Sequence, residues 1–234
     1  MTEPWVQTVS GVAFDLLAPR VEDVRIEDIA TSLARLSRYN GHTVECYGLL
    51  GYSVAQHSVH VSRIVEMWGA PTAIVREALL HDAPEAYYGD ITSPVQMAFR
   101  EMHKDLFCNA AKSASGLYEP GSHEHEIAEK VIGRMVAVLM ATDPLRALKA
   151  RVDPVVRAAL GLPAEGHPLV KRADLVALAC ERQALMAPCE RSWNLPEFAD
   201  QRWASFNVLA PDDAREEFIA RVNEIAARAG TEAR

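Results

Sequence analysis

Apolar residues recur along this chain at helical spacing, and alternating stretches of strand type bounded by turns are scarce. Ile26, Ile29, Leu33 and Leu36 fall at i, i+3, i+7 and i+10, one face of an amphipathic helix that ends before Arg38-Tyr39-Asn40-Gly41. Ser53 with Gln56 three residues on reads as a capping box, and Val54, His57, Val61 and Ile64 then share a face. A third helix starts near Thr72, with Ile74, Ala78, His81 and Glu85 one above another. Pro84 predicts a kink or stop just after His81-Asp82, because proline lacks the amide that the Leu80 carbonyl needs. Gly89 suits a C-cap, Ser93-Pro94 and Ser122 suit helix starts, and Asp143-Pro144 is a break. The stretch from Pro154 to Pro168 reads as less regular, LVKRADLVALACERQALM as a helix, Trp193 to Ala210 as loop, and Asp212 to Ala227 as a terminal amphipathic helix. The fold class is therefore all-α, a bundle of about seven to nine helices. Met102 to Leu106 and Met135 to Met140 read as core.

With 234 residues, 49% of them hydrophobic, the chain can bury one substantial core, and a single domain over residues 1–234 is expected. A net charge of −8 argues against a nucleic acid polymer as partner, since such binding draws on many Lys and Arg contacts to phosphate. One small anion needs only a local positive cluster and stays open. No apolar run is long enough to span a membrane, and the first thirty residues lack a basic region and a cleavage site, so a cytoplasmic protein is expected. Cys46, Cys108, Cys180 and Cys189 form no C-x-x-C pair, which fits reduced thiols.

His57, His81, Asp82, Glu85 and Asp174 each occupy or adjoin the apolar side of an expected helix. Burying isolated ionisable groups costs several kcal/mol unless they pair or bind metal. Two imidazoles with two carboxylates suit one divalent ion: Mn, Co, Zn or Fe, with Mg less favoured by nitrogen ligands. Against this stands the ordinary reading, in which each histidine is a core residue bonded to a carbonyl. The combination weighs more than any member: a His on one helix, a His-Asp doublet with Glu three residues on, and a distant Asp in Lys171-Arg172-Ala173-Asp174.

Tyr52-Ser53-Val54-Ala55-Gln56-His57-Ser58, then Leu80-His81-Asp82-Ala83-Pro84-Glu85 with Gly89-Asp90-Ile91, then Lys171 to Asp174, resemble the H…HD…D signature of HD-domain metal-dependent phosphohydrolases. The resemblance covers roughly residues 30–190 and is closest to the 5′-deoxynucleotidases and small phage-type deoxynucleoside triphosphohydrolases. It implies an HD-domain helical bundle in which His57, His81, Asp82 and Asp174 ligate one divalent metal. It gives Glu85 the role of orienting water or carrying a proton, and makes Asp90 a second acidic group beside substrate. Arg38 matches the phosphate-contacting arginine, with Arg35 as reserve and Tyr39 in the place of the family's substrate-side aromatic, while His42, in the loop beside Arg38, reads equally as a substrate contact or a turn residue. The deoxynucleotidases carry an arginine–tryptophan pair where this chain has Arg38-Tyr39. His60, one turn past His57, falls outside the match, and His123 and His125 read as polar residues at a helix start.

The reaction so implied is hydrolysis of the 5′-phosphate of a (deoxy)nucleoside monophosphate by activated water, with no protein nucleophile. One alternative keeps the site but releases tripolyphosphate from a deoxynucleoside triphosphate. Another is a non-catalytic HD-fold module that binds a nucleotide. The resemblance also implies a homo-oligomer.

Overall fold

The computed structural model of the chain describes residues 3–44, 51–141, 143–193, 195 and 207–232. Among these the architecture is all-α apart from one short hairpin, as the periodicity predicts. The elements are β1 (Trp5–Gln7), β2 (Ala13–Asp15), α1 (Ile26–Arg35), α2 (Val54–Met67), α3 (Thr72–Leu80), α4 (Glu85–Tyr88), α5 (Ser93–Ser115), α6 (His123–Ala141), α7 (Pro144–Ala159), α8 (Pro168–Leu185) and α9 (Pro211–Glu232). They fall into two compact units, Met1–Asp90 with Val152–Arg234, and Ile91–Arg151.

In the first unit α2 packs against α1, α3, α8 and α9. Val54, Ala55, Val59, Val61, Ile64 and Val65 are all fully buried, so this helix is apolar around most of its circumference. A polar side chain on α2 is consequently deep in the fold, and His57 and Ser58 are both inaccessible to solvent. Ile29 and Leu33 of α1, Leu79 of α3, Val176 of α8, and Phe218 and Ile225 of α9 complete the core.

The start of α2 satisfies half of the expected capping box. Ser53 Oγ accepts from the Gln56 amide at 3.2 Å. The Gln56 side chain does not return the bond; it donates to Asn207 O at 2.7 Å and accepts from Leu209 N at 3.2 Å. A tertiary partner has displaced the local one, tying α2 to the segment before α9. At the other break the expectation holds: α3 stops at Leu80, His81 takes the C-cap, and a turn through Pro84 leads into α4, which Gly89 closes at φ 87°.

One element lies outside the sequence reading, and two sequence expectations need correction. The β1–β2 hairpin, with Val6 opposite Phe14, escapes a periodicity search because each strand is only three residues long. It is anchored from outside: Ser10 N and Oγ donate to the Asp28 carboxylate at 2.8 and 2.6 Å, and buried Phe14 stacks on Tyr87. Next, α7 runs on through Pro154, where an irregular stretch was expected. Proline removes one helical bond, and burial of Val152 and Val156 on either side holds the helix together. Finally, Met102, Leu106 and Met135 are exposed by 67, 64 and 59% rather than lying in a core.

Positioning of α8 depends on a buried carboxylate. Glu77 of α3 accepts from Arg157 Nη2 at 3.0 Å and from the His167 amide at 2.8 Å. His167 then caps α8, its Nδ1 accepting from Leu169 N at 3.2 Å, with Pro168 at the first helical position. Cys108, Cys180 and Cys189 are free thiols, and Cys46 lies outside the described residues. No helix among the described residues is long and apolar enough to cross a membrane.

Candidate metal centre

Three segments of the first unit converge on one point: the first turn of α2, the end of α3 and the middle of α8. His57 comes from α2. Its Nδ1 lies 2.6 Å from Glu181 Oε1, and its Nε2 lies 3.1 Å from Asp174 Oδ1 and 3.6 Å from Asp82 Oδ2. His81 sits at the α3 C-cap with Nδ1 2.8 Å from Ala78 O, while its Nε2 is 3.2 Å from Asp82 Oδ2. One ligand atom each of His57, His81 and Asp174 lies within 4.8 Å of the others. Asp82 borders that set through the same two Nε2 atoms.

The tautomers follow from the Nδ1 partners. A carbonyl oxygen can only accept, so His81 Nδ1 carries the proton, and the ionised Glu181 imposes the same on His57. Both Nε2 atoms are buried and lack a hydrogen-bond partner of acceptable geometry, although carboxylate oxygens are near. Orphaned polar atoms in a protein interior are uncommon. Two imidazoles with Nδ1 engaged and Nε2 aimed at a shared carboxylate-lined point match the way metal-binding histidines are oriented.

Electrostatics bear on the same point. Burial and the neighbouring Arg38 would push the His57 imidazole down, but Glu181 and Asp174 more than reverse this, and it titrates at about 9. Burial would raise Asp174, yet His57, His81 and Arg38 draw it down to about 2. A mixed set of two nitrogens and two carboxylates fits a divalent transition ion.

Glu181 is the residue that sequence reasoning missed. Fully buried, it accepts from His57 Nδ1, from Arg38 Nε at 3.1 Å and from Tyr39 OH at 2.5 Å. Burial opposes its charge, but His57 and Arg38 hold the carboxyl far below the usual range. A signal was present: Glu181 lies seven residues past Asp174, two turns along the same face of α8.

Arg38 is brought into the centre. Its Nη1 is 3.8 Å from Asp82 Oδ2, and although burial opposes charge, Glu181, Asp82 and Asp90 keep the guanidinium ionised. It is held by backbone pairing, with Arg38 N donating to Tyr52 O at 2.8 Å and Val54 N to Leu36 O at 3.0 Å. Tyr39 and Asn40 follow with φ of 58° and 52°, left-handed backbone that costs non-glycine residues on the order of 1–3 kcal/mol each. That conformation delivers the Tyr39 hydroxyl to Glu181 and sets its ring beside Trp193, centroids 5.9 Å apart.

Other candidates are placed differently. Glu85 opens α4, its amide bonded to Asp82 O at 3.0 Å, and Asp90 acts on Arg38 through its charge. Arg35 is exposed and lines a cavity of about 310 Å³ with Val6, Asp28, Ser32 and Tyr87, among whose lining residues none of the four ligand candidates appears. His42 is an exposed loop residue. His60 pairs with Tyr52 OH at 2.6 Å through Nδ1, and burial lowers it to about 4, which sets it apart from the ligand cluster.

No family model matches the chain. It is 40% identical to an uncharacterized protein of Rhodobacter capsulatus over 111 residues, 45% of this chain and 54% of that protein, so the match spans about half of that relative. It is 29% identical to the uncharacterized protein YfdR of Escherichia coli over 223 residues, 94% of this chain and 95% of that protein.

Proposed function

We propose that this chain is an HD-type, metal-dependent phosphohydrolase that acts in the cytoplasm and removes the 5′-phosphate of (deoxy)nucleoside monophosphates. The observation that carries this reading is the pair of buried Nε2 atoms of His57 and His81, without hydrogen-bond partners and bordered by Asp82 and Asp174. A divalent ion held by His57, His81, Asp82 and Asp174 would supply hydroxide near neutral pH and polarise a phosphoryl oxygen.

The chain's own groups do the remainder. Glu181 and the Ala78 carbonyl hold the two imidazoles by Nδ1, so neither ring needs to reorient when substrate arrives. Arg38 is tethered at Nε by Glu181 and has Nη1 3.8 Å from Asp82 Oδ2, and from there its guanidinium would balance charge on the phosphoryl oxygens. By the resemblance, Glu85 would take the proton of the attacking water and return it to the departing 5′ oxygen, giving nucleoside and inorganic phosphate. Asp90 interacts with the Arg38 charge and by the resemblance is a second acidic group beside substrate.

The test supplies metal-stripped protein with Mn, Co, Mg or Zn and a panel of ribo- and deoxynucleoside mono- and triphosphates, with products separated by chromatography. Metal-dependent release of phosphate from monophosphates, lost in Asp82→Ala, is expected. Nucleoside plus tripolyphosphate from a triphosphate would replace the monophosphate reading by the triphosphohydrolase one. Stoichiometric nucleotide binding without turnover under any metal would overturn catalysis and leave a binding module.

A further inference from the structure

The cavity of about 310 Å³ beside α1 has none of the metal-ligand candidates in its wall. Three elements that are tied to one another leave it between them. The hairpin is bonded to α1 through Ser10 and Asp28, and α1 to α4 through Ser32 Oγ, which donates to Ala86 O at 3.0 Å. Its walls are therefore in place before any ligand arrives, and its volume lies at the lower end of the range of small-molecule pockets. Asp28, Ser32 and Arg35 border it from one face of α1, at spacings of four and three, while Val6 to Val9 border it from β1 and the residues that follow. The two ends differ. Arg35 stands at the exposed end and makes no hydrogen bond or ion pair among the described residues. Asp28, two turns and roughly 10 Å away along the helix, is buried, each carboxylate oxygen accepting from Ser10. Between them the wall is apolar: Val6, Leu36 and Val9, the last 64% exposed and so left uncovered by the fold. Tyr87 of α4 completes the wall, its buried ring stacked on Phe14. The Tyr87 hydroxyl meets no acceptor, since the nearby Arg25 amide is itself a donor. An unanswered buried donor is uncommon, and this one belongs to a residue of the cavity wall.

We propose that this cavity is a second ligand site, separate from the metal centre, that takes a small amphipathic monocarboxylate. The ligand's carboxylate pairs with the Arg35 guanidinium at the mouth, and its apolar body covers Val6, Val9 and Leu36. Charge selects the class. One cation, with a buried carboxylate two turns off, balances a single negative charge; a phosphate dianion would leave one charge unpaired and set it facing Asp28 across an apolar space. An uncharged apolar molecule would cover the same wall but forgo the charge-assisted bond to Arg35. The inference does not depend on the metal centre.

The experiment titrates 3-(4-fluorophenyl)propionate into the full chain, stripped of metal, and follows the fluorine resonance of the probe. Saturable binding with Kd below about 1 mM is expected, a modest affinity for so small a molecule. The uncharged 3-(4-fluorophenyl)propan-1-ol and the dianionic 4-fluorobenzyl phosphate should each bind at least about tenfold more weakly, the worth of one charge-assisted hydrogen bond. Arg35→Glu and Val9→Asp, both at exposed positions that the core does not need, should each weaken the propionate by more than about tenfold. No saturation by about 10 mM would overturn the proposal. So would binding that both variants leave unchanged, or a phosphate probe that binds as tightly as the carboxylate. With no metal present, these results stand apart from whether the metal centre hydrolyses nucleotides.

Discussion

Replacing Glu181 by glutamine keeps the side-chain volume and removes one charge from a fully buried position. The wild-type carboxylate accepts from three donors, His57 Nδ1 at 2.6 Å, Arg38 Nε at 3.1 Å and Tyr39 OH at 2.5 Å. An amide has one accepting oxygen; turned to Arg38 and Tyr39, it sets its NH₂ against His57 Nδ1, which can accept only by giving up the tautomer that leaves Nε2 free for metal. Either His57 or the Arg38–Tyr39 pair is then left without an acceptor, and Arg38 loses its closest counter-charge. Breaking a buried charged network from one side costs about 3–5 kcal/mol; with one bond kept, about 3 kcal/mol is expected for the metal-free protein. Because Glu181 is held below its ordinary range, its contribution is full above the unfolded carboxylate range and is lost only as pH falls below it. Urea unfolding near neutral pH therefore reads the whole effect. Cobalt titration followed by absorbance should show affinity about 10–100-fold weaker, the usual cost of removing a carboxylate behind a metal-bound histidine. A variant within about 0.5 kcal/mol of wild type and with unchanged cobalt affinity would refute Glu181 as the organising group.

Arg38→Ala should lower turnover of the nucleotide substrate by about 10²–10³-fold while cobalt affinity changes little, as expected for a group that stabilises charge on the reacting phosphate; an unaltered rate would remove it from that role. His60 is neutral in the fold, titrating at about 4 because it is buried, whereas in the unfolded chain it titrates near 6.5. The unfolded state thus binds the extra proton between those values, and stability, full above about 6.5, should fall by about 2–3 kcal/mol as pH drops toward about 4. Urea unfolding of His60→Gln and wild type across that window checks this, and parallel pH profiles would contradict it.

How much of this was readable in advance depended on the range of the interaction concerned. Helix positions were legible, because spacings of three and four residues, caps and prolines act within a turn or two: the Ile26–Leu33 face, the Ser53 cap and the stop before Pro84 all appear where the pattern put them. The ligand candidates were legible for a related reason. An ionisable residue on an apolar face must find a partner, and His57, His81, Asp82 and Asp174 find one another.

What the tertiary structure alone decided concerns which faces meet. Gln56 satisfies a capping pattern yet bonds to Asn207 and Leu209, 151 and 153 residues away. Arg38 is the first candidate in the chain and Arg35 the reserve; backbone pairing of Arg38 with Tyr52 turns it inward, while the end of α1 leaves Arg35 exposed. Glu181 is one more glutamate in a helix until α2 brings His57 to it across 124 residues. Met102 and Leu106 have the spacing of a core face, yet both are exposed. Local spacing determines which side of a helix is apolar. Which surface covers that side, and which charge waits there, is set by long-range packing that periodicity does not encode.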